Sequence, residues 1–151
     1  MINTPKYFEL SELLRSDTSI TKKIENLPTW EGIEKLSKLA IEYLDPLREA
    51  WGSAITITSG YRSPSLNKAV GGVSNSSHQY YEAVDLQPED TSVKGVENFF
   101  NFIKDYFTRN KVIIDQCFIE KSGSTTWVHL GISPRMRNQY GELRVNRGYN
   151  N

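Results

Sequence analysis

Two histidines and one aspartate are the residues of this chain whose types and spacing could do chemistry together. His78 and His129 are the only histidines in the sequence, and Asp85 comes seven residues after the first of them. Two imidazoles and one carboxylate form a known ligand set for catalytic zinc, which keeps its fourth coordination position open for water. Most histidines in proteins are structural or simply exposed, so residue types and spacing alone leave a metal site and a structural role both open.

The elements that must position these residues follow from the hydrophobic pattern. Strand patterns, either alternating or rich in β-branched and aromatic residues, occupy four segments: 54–58, 82–86, 111–120 and 126–132. Turn composition at 121–125 joins the last two strands into a β-hairpin. Asp85 and His129 therefore each lie within a predicted strand.

Helix patterns occupy three segments: 30–50, a short one at 65–70, and 93–107. Thr29 and Ser92 are suitable N-caps, and Ser63 precedes a proline at the first helical position. Pro46 is expected to kink the first of these helices near its end or to split it. Residues 11–19 have the composition of short helical turns and loops.

The order of these elements predicts an α+β domain, with helices first and then a small, largely antiparallel β-sheet that has helices packed on one side. A length of 151 residues fits one domain and suffices for a hydrophobic core without disulfides. We expect a single domain over 1–151, with a folded core over about 7–135 and a polar, solvated tail over about 136–151.

Charge and cysteine content exclude some classes of protein. Eighteen basic residues balance eighteen acidic ones, so the basic excess typical of nucleic-acid-binding proteins is missing and no such partner is expected. Cys117 is the single cysteine, and its apolar neighbours predict a small core residue, not a nucleophile. The first residues contain no continuous apolar stretch, so neither a signal peptide nor a transmembrane segment is expected.

Long, ordered blocks of sequence surround the candidate ligands. They are YFELSELLRSDTSI near the start, ITSGYRSPSLNKAVGGVSNSSHQYYEAVDL in the middle, and DQCFIE and TWVHLGISPR further on. Together they resemble the zinc D-alanyl-D-alanine carboxypeptidase family, which includes phage endolysins and is grouped with lysostaphin-type enzymes and hedgehog-like domains. The resemblance covers residue 7 to about 135 and implies the hedgehog-like form of the α+β fold.

The resemblance also implies roles for the three candidate ligands. In the family, the histidine and aspartate of an SxHxxGxAxD motif bind zinc together with the histidine of a WVH strand, and these positions are His78, Asp85 and His129 here. The motif serine falls at Ser76. The motif glycine is replaced by Tyr81, so we expect the turn before the Asp85 strand to differ and the pocket rim to carry an extra aromatic ring.

A metallopeptidase also needs a proton carrier and a group that stabilises developing charge. Some family members place an acid three residues before the last histidine, but that position is Thr126 here, which cannot act as the base. The subgroup that this chain most resembles ends the preceding strand with a glutamate, which implies Glu120 as the general base. Arg62 matches an active-site arginine that binds a substrate carboxylate or stabilises an oxyanion. From residue chemistry alone, Glu120 would be an exposed strand-end charge and Arg62 a surface or ion-paired residue.

Four further residues in these blocks have structural as well as functional interpretations. Turn formation and helix capping are at least as plausible as substrate contact for Ser59, Tyr61 and Asn67. Trp127 is two positions from His129 on the same strand face, so it either walls the cleft or packs in the core.

The resemblance implies a zinc-dependent peptidase that cuts D-alanine-containing stem peptides of bacterial peptidoglycan, as a carboxypeptidase or an endopeptidase. We expect Zn²⁺ as the cofactor, a peptidoglycan peptide as the partner, and a monomer without nucleic acid or membrane insertion. Such a protein is made in the bacterial cytoplasm and acts on the cell wall, as phage or prophage lysis proteins do. Two alternatives stay open: a non-catalytic zinc-containing wall-binding module, and a virion-associated protein with a decayed site.

Overall fold

A five-stranded β-sheet forms the centre of the computed structural model, which describes residues 3–145 except for the side chain of Asp17. The strands are β1 (Ile55–Ser59), β2 (Ala83–Pro88), β3 (Gln116–Ser122), β4 (Thr125–Gly131) and β5 (Gln139–Arg144). Their spatial order is β1-β2-β4-β3-β5, and each neighbouring pair is antiparallel except β3 with β5, which is parallel. The predicted α+β class with a largely antiparallel sheet is confirmed.

Five α-helices lie within the described part of the chain: α1 (Asp17–Thr21), α2 (Trp30–Leu39), α3 (Asp45–Trp51), α4 (Pro64–Ala69) and α5 (Val93–Arg109). Shorter 3₁₀ turns occupy Glu12–Leu14 and Ser77–Tyr80, and a π-helical turn occupies Ala40–Leu44. Across residues 3–145, no helix combines the length and the apolar character that a membrane span requires.

Three predicted helix starts are confirmed by capping hydrogen bonds. The side-chain oxygens of Thr29, Ser63 and Ser92 each accept a hydrogen bond from the backbone N–H three residues further on, at 3.0, 3.2 and 3.1 Å. Such a bond satisfies one of the N–H groups that the first helical turn leaves without a partner. Local sequence therefore fixes where α2, α4 and α5 begin.

The predicted interruption near Pro46 is also confirmed, and it takes the form of a π-helical turn between α2 and α3. Proline has no N–H to donate, and its ring collides with the carbonyl four residues earlier in a regular helix. The wider turn relieves this conflict, and Asp45 N–H donates to the Ala40 carbonyl five residues back. The helical segment then ends at Gly52, whose φ of 78° suits glycine.

The two faces of the sheet differ because side chains alternate along each strand. One face is apolar and is buried under α5, which packs on β2, β3 and β4. Leu86 and Val128 of the sheet and Phe99 and Ile103 of α5 are all fully buried there. Cys117 belongs to the same core, and burial raises the pKa of its thiol, as expected for an unreactive core residue.

The opposite face is polar and holds the residues that sequence patterns assign to chemistry. Asp85 on β2, His129 on β4 and Glu120 on β3 share this face, and Thr58 on β1 extends it. Because side chains alternate along a strand, the apolar side chains face the core and the polar ones between them face the side where a site can form.

The predicted strand at 111–120 begins later than its composition indicates. Helix α5 continues to Arg109, and Lys111 then takes a left-handed conformation with a φ of 56°. The apolar side chain of Ile114 is fully buried, so this residue packs in the core although it lies outside the strand. Regular pairing starts at Gln116. The hairpin turn has two residues, fewer than predicted, because β3 and β4 include most of the predicted turn segment.

Residues 139–144 of the predicted tail form the parallel edge strand β5, so the sheet extends beyond the predicted core limit of about residue 135. Most side chains of β5 are exposed, so the sequence shows no apolar alternation that would identify a strand. Its attachment comes from backbone hydrogen bonds to β3 instead. Residues 146–151 of the predicted tail lie outside the described residues.

A buried carboxylate fixes the loop that leads from β4 to β5. Asp115 accepts hydrogen bonds from Arg137 Nε at 2.8 Å, Arg137 Nη2 at 3.0 Å, the Arg137 backbone N–H at 3.1 Å and Ser133 Oγ at 2.8 Å. The Arg137 hydrogen bonds lower the pKa of Asp115 to about 2, against the opposing effect of burial. This clasp compensates for the weak side-chain packing of β5.

The clasp predicts that Asp115→Asn lowers the free energy of unfolding by about 3 kcal/mol, because it leaves a bidentate, partly buried arginine without its counter-charge. Since the folded-state pKa of Asp115 is depressed, its contribution is present above about pH 4 and is lost as the pH falls toward about 2. Urea unfolding at pH 7, 4 and 2.5 measures both effects.

The matched control is Asp105→Asn, which removes an aspartate paired with Arg109 where both side chains are 63% exposed. That change is expected to cost less than about 0.5 kcal/mol. Equal losses for the two variants would show that the Asp115 clasp does not hold the β4–β5 loop.

Candidate metal centre

The position of His78 is set by a 3₁₀ turn between α4 and β2. Ser76 caps this turn, and its Oγ accepts a hydrogen bond from the His78 backbone N–H at 3.3 Å. The His78 ring is completely buried, and its Nδ1 lies 2.7 Å from the Gly60 carbonyl oxygen. Because a carbonyl oxygen can only accept, Nδ1 carries the ring proton and Nε2 keeps a lone pair.

Sheet register brings the other two candidate ligands together. Asp85 on β2 is directly opposite His129 on β4, and Asp85 Oδ1 lies 3.0 Å from His129 Nδ1. The same oxygen lies 3.2 Å from His78 Nε2. One ligand atom from each of the three side chains falls within 4.8 Å of the others, so the structure brings the predicted triad together.

The electrostatic surroundings shift the pKa values of the three donor residues in different directions. Burial, assisted by the positive charge of Arg62, lowers the pKa of His78 to about 4, so this imidazole is neutral at pH 7. Burial acts to raise the pKa of Asp85, but the two histidines outweigh it, and the carboxyl pKa falls well below its usual range. Burial also opposes protonation of His129, but Glu120 and Asp85 outweigh it and raise the pKa of that ring.

This donor set fits a divalent cation. Two imidazole nitrogens and one carboxylate oxygen converge, all three residues are buried, and the distal nitrogen of His78 is held by a backbone carbonyl, as is usual for metal-binding histidines. These three residues would hold Zn²⁺; the identity of the ion remains a prediction.

Glu120 lies on the same face as the triad, one row along the sheet. It is opposite Trp127 in the β3–β4 hairpin, and the next pair on this face is Phe118 opposite His129. Glu120 is only 5% exposed, and Trp127 Nε1 donates a hydrogen bond to its Oε1 at 3.0 Å. The alternative of an exposed strand-end charge is therefore wrong, and Trp127 lies on the site face as predicted.

Arg62 is buried beside the metal centre and is not a surface arginine. It is 2% exposed, its backbone N–H donates to the His78 carbonyl at 3.1 Å, and its Nη2 lies 3.5 Å from Ser76 Oγ. The segment between β1 and α4 thus carries Arg62 against the turn that carries His78. The positive charge of the guanidinium also contributes to the lowered pKa of His78.

Of the three residues for which both a structural role and substrate contact were open, one lines a cleft and two have structural roles. Ser59 is largely buried and lines a cleft next to Asp85. Tyr61 instead packs in the hydrophobic core. Asn67 is 2% exposed and its Nδ2 donates to the Val73 carbonyl at 2.8 Å, which fixes the loop after α4. Structural roles therefore apply to Tyr61 and Asn67.

The expectation that Tyr81 adds an aromatic ring to the pocket rim is wrong. Tyr81 has φ 60° and ψ 34°, so it adopts the left-handed conformation that a glycine at this motif position would provide. Its ring points away from the metal centre and stacks on Tyr61, with centroids 4.2 Å apart and planes 8° apart. Its hydroxyl accepts a hydrogen bond from the Thr29 N–H at 3.0 Å, and its ring occupies the space where Gly32 lacks a side chain. The ring packing compensates for the backbone strain.

Sequence patterns missed two residues that position the site. Gly60 supplies the carbonyl that holds His78, and a Cβ on this glycine would lie 1.8 Å from the Leu13 carbonyl oxygen. Asn26 donates to the Tyr61 carbonyl at 2.9 Å and accepts from the Ser63 N–H at 2.7 Å, so it holds the segment that contains Arg62. The glycine of ITSGYR could have indicated a close backbone contact, but a single loop asparagine does not indicate which segment it binds.

Two clefts meet at the metal centre. The first has a volume of about 280 Å³, crosses β1 and β2, and includes Asp85, Trp127 and four threonines: Thr18, Thr56, Thr58 and Thr125. The second has a volume of about 520 Å³, crosses β3 and β5, and includes both histidines together with Gln116, Phe118, Glu120 and Leu143. Arg62 lines both clefts.

A comparison with known families agrees with this site. The family model described as Peptidase M15 matches residues 6–130, which is most of the chain, so the chain belongs to the Peptidase M15 family. The match includes all three triad residues as well as Arg62 and Glu120. A search of curated proteins finds no match. Fold, family and donor set together define a metallopeptidase of the zinc-dependent M15 class.

The triad predicts that the protein takes up one Zn²⁺ per chain, and that His78→Ala and His129→Ala each lose it, because each change removes one of three ligands. Elemental analysis after dialysis against trace zinc measures the stoichiometry. Glu89→Gln, which neutralises an exposed carboxylate, is the control and is expected to retain zinc. Stoichiometric zinc in both histidine variants would contradict the ligand assignment.

The Tyr81 packing predicts that Tyr81→Gly lowers the free energy of unfolding by about 2 kcal/mol. The change loses about 3 kcal/mol of aromatic packing and hydrogen bonding but relieves about 1 kcal/mol of left-handed strain. Tyr80→Gly, at a neighbouring ring that is 55% exposed, serves as the control and is expected to cost less. A Tyr81→Gly protein more stable than the wild type would show that backbone strain dominates.

Proposed function

We propose that the protein is a zinc peptidase that hydrolyses peptide bonds in bacterial peptidoglycan stem peptides. The observation that carries this proposal is the convergence of three ligand atoms within 4.8 Å on a sheet face that also holds a buried glutamate and a buried arginine. A metal site without a proton carrier could be structural, but a buried carboxylate one row away supplies what hydrolysis needs.

His78, Asp85 and His129 would hold the metal in this proposal. When bound, Zn²⁺ acts as a Lewis acid that polarises the scissile carbonyl and makes a water molecule more acidic. The lowered pKa values of His78 and Asp85 favour the unprotonated forms that bind a metal, whereas the raised pKa of His129 favours the protonated ring and so opposes binding. The Gly60 carbonyl keeps the His78 ring in the orientation that directs Nε2 to the centre.

Glu120 is the proposed general base and acid. The indole of Trp127 anchors one oxygen of its carboxylate, which limits its rotation and keeps it on the side of the sheet where the triad lies. From there Glu120 takes the proton of the attacking water and passes it to the leaving amine. Trp127 is thus a positioning residue, because it acts through Glu120.

Arg62 is the proposed stabiliser of the negative charge that develops on the carbonyl oxygen. Its guanidinium is buried beside the triad, where a charge acts through a medium less polar than water. Ser76 and the backbone of the His78 turn fix its position, so little reorganisation is needed during the reaction.

The peptidoglycan substrate is supported by the resemblance of residues 7–135 to D-alanyl-D-alanine carboxypeptidases and phage endolysins. On that basis the protein acts on the cell wall, as phage or prophage lysis proteins do, and does so as a monomer. Equal numbers of acidic and basic residues give no support to a nucleic-acid partner.

Glu120→Gln tests the proposed chemistry. The amide oxygen still accepts the Trp127 hydrogen bond, but the side chain no longer carries a proton, so kcat is expected to fall about 10²- to 10⁴-fold. Zinc content and unfolding midpoint are expected to stay unchanged. The assay is the release of soluble peptides from purified peptidoglycan by zinc-loaded protein.

Two controls complete this test. Trp127→Phe retains the ring but removes the indole donor, so it is expected to lower kcat less than Glu120→Gln does. Zinc removal by a chelator is expected to abolish release, and zinc addition to restore it. Full activity of Glu120→Gln would exclude Glu120 as the base. Zinc-loaded protein that binds cell walls but releases nothing would favour the non-catalytic wall-binding module.

A further inference from the structure

We infer that the substrate chain lies across the whole polar face of the sheet, so that the protein cuts internal peptide bonds, with the C-terminal side of the cut bond over β3 and β5. This inference rests on the proposed function and specifies how the same site binds its substrate. It distinguishes an endopeptidase from a carboxypeptidase.

The clefts extend in both directions from the metal centre. One runs over β1 and β2 toward the β1 edge of the sheet, and the other runs over β3 and β5 toward the β5 edge. The triad lies between the two edges, on β2, β4 and the 3₁₀ turn. Neither cleft is enclosed, and both border on Arg62. A groove that continues past the reacting centre on both sides accommodates chain on both sides of the scissile bond.

Arg62 is not placed to bind the terminal carboxylate of a substrate. An enzyme that removes one C-terminal residue needs a cation at the far end of the pocket that receives this residue. Arg62 is instead at the junction of the two clefts, beside the turn of His78, where a scissile carbonyl would lie. The guanidinium is therefore placed for the reacting bond and not for the end of the chain.

Glu120 defines the direction in which the substrate lies. It lines the second cleft and not the first, and it gives its proton to the amine of the leaving segment. The leaving segment is the C-terminal product, so this product occupies the larger cleft over β3 and β5. The N-terminal product then lies in the first cleft.

The two clefts have different linings, which predicts different preferences on the two sides of the bond. Thr56, Thr58 and Thr125 give the first cleft hydroxyl groups that can bond to a peptide backbone. The second cleft has the half-buried ring of Phe118 and the Leu143 side chain, which is 46% exposed. Apolar groups immediately after the cut bond fit this lining.

Arginines add a charge preference to the second cleft. Arg135 and Arg144 are exposed along it, and the structure of residues 3–145 shows no carboxylate paired with either. Arg137 also lines the cleft, but Asp115 already holds its guanidinium. We therefore expect an acidic side chain or a carboxylate further along the leaving segment to increase the rate.

Product analysis of cross-linked peptidoglycan tests the inference. Zinc-loaded wild-type protein is incubated with purified, muramidase-solubilised peptidoglycan that contains both cross-linked dimers and monomers with complete stem peptides. Mass spectrometry identifies the products. The expected result is cleavage that leaves at least two amino-acid residues on each side of the cut bond.

Two variants test whether both clefts hold substrate. Thr56→Trp fills the first cleft and Leu143→Trp narrows the second, and each is expected to lower kcat/KM for the cross-linked substrate at least about tenfold. Thr108→Trp, at an exposed position of α5, is the matched control and is expected to leave the rate within about twofold.

The possible outcomes separate the inference from the proposed function. Release of single C-terminal amino acids alone would overturn the inference and leave the proposed function intact. Unchanged rates for either cleft variant would also overturn it, because the chain would then occupy one cleft only. Absence of any product would overturn both. Internal cleavage that both cleft variants slow would support both.

Discussion

One buried carboxylate oxygen organises the centre of this protein. Asp85 Oδ1 lies 3.0 Å from His129 Nδ1 and 3.2 Å from His78 Nε2, inside a structure where an unpartnered charge would be expensive. The two rings come from chain positions 51 residues apart, and the carboxylate is the contact they share. This contact compensates for burial of the three polar groups, whose arrangement is the one that a cation would require.

Each of the three side chains is supported by a different kind of structure. Asp85 and His129 depend on the β2–β4 register, because a slip of one residue in either strand would turn the ligand of that strand toward the apolar core. His78 depends on a short capped turn and on the carbonyl of Gly60, whose close approach to Leu13 admits no side chain. Helix α5 covers the apolar face of the sheet and leaves the polar face for the site.

Sequence patterns predict the features that interactions between near neighbours in the chain determine. They miss the features that depend on contacts between distant segments. The capping side chains of Thr29, Ser63 and Ser92 act within one turn, so the helix starts are predictable. The strand β5 is held by pairing with β3 and by Arg137 on Asp115, neither of which leaves a local pattern. The triad residues were predictable by type and by family resemblance, but the left-handed Tyr81 was not, because its compensating contacts come from Tyr61 and α2.

The central claim is that these three side chains share one divalent cation. Anomalous diffraction from crystals of the zinc-loaded protein, measured above and below the zinc absorption edge, tests it most directly. The account predicts one strong peak per chain at about 2.0–2.2 Å from His78 Nε2, His129 Nδ1 and an Asp85 carboxylate oxygen. A peak coordinated by other residues, or no peak in crystals grown with excess zinc, would contradict the account.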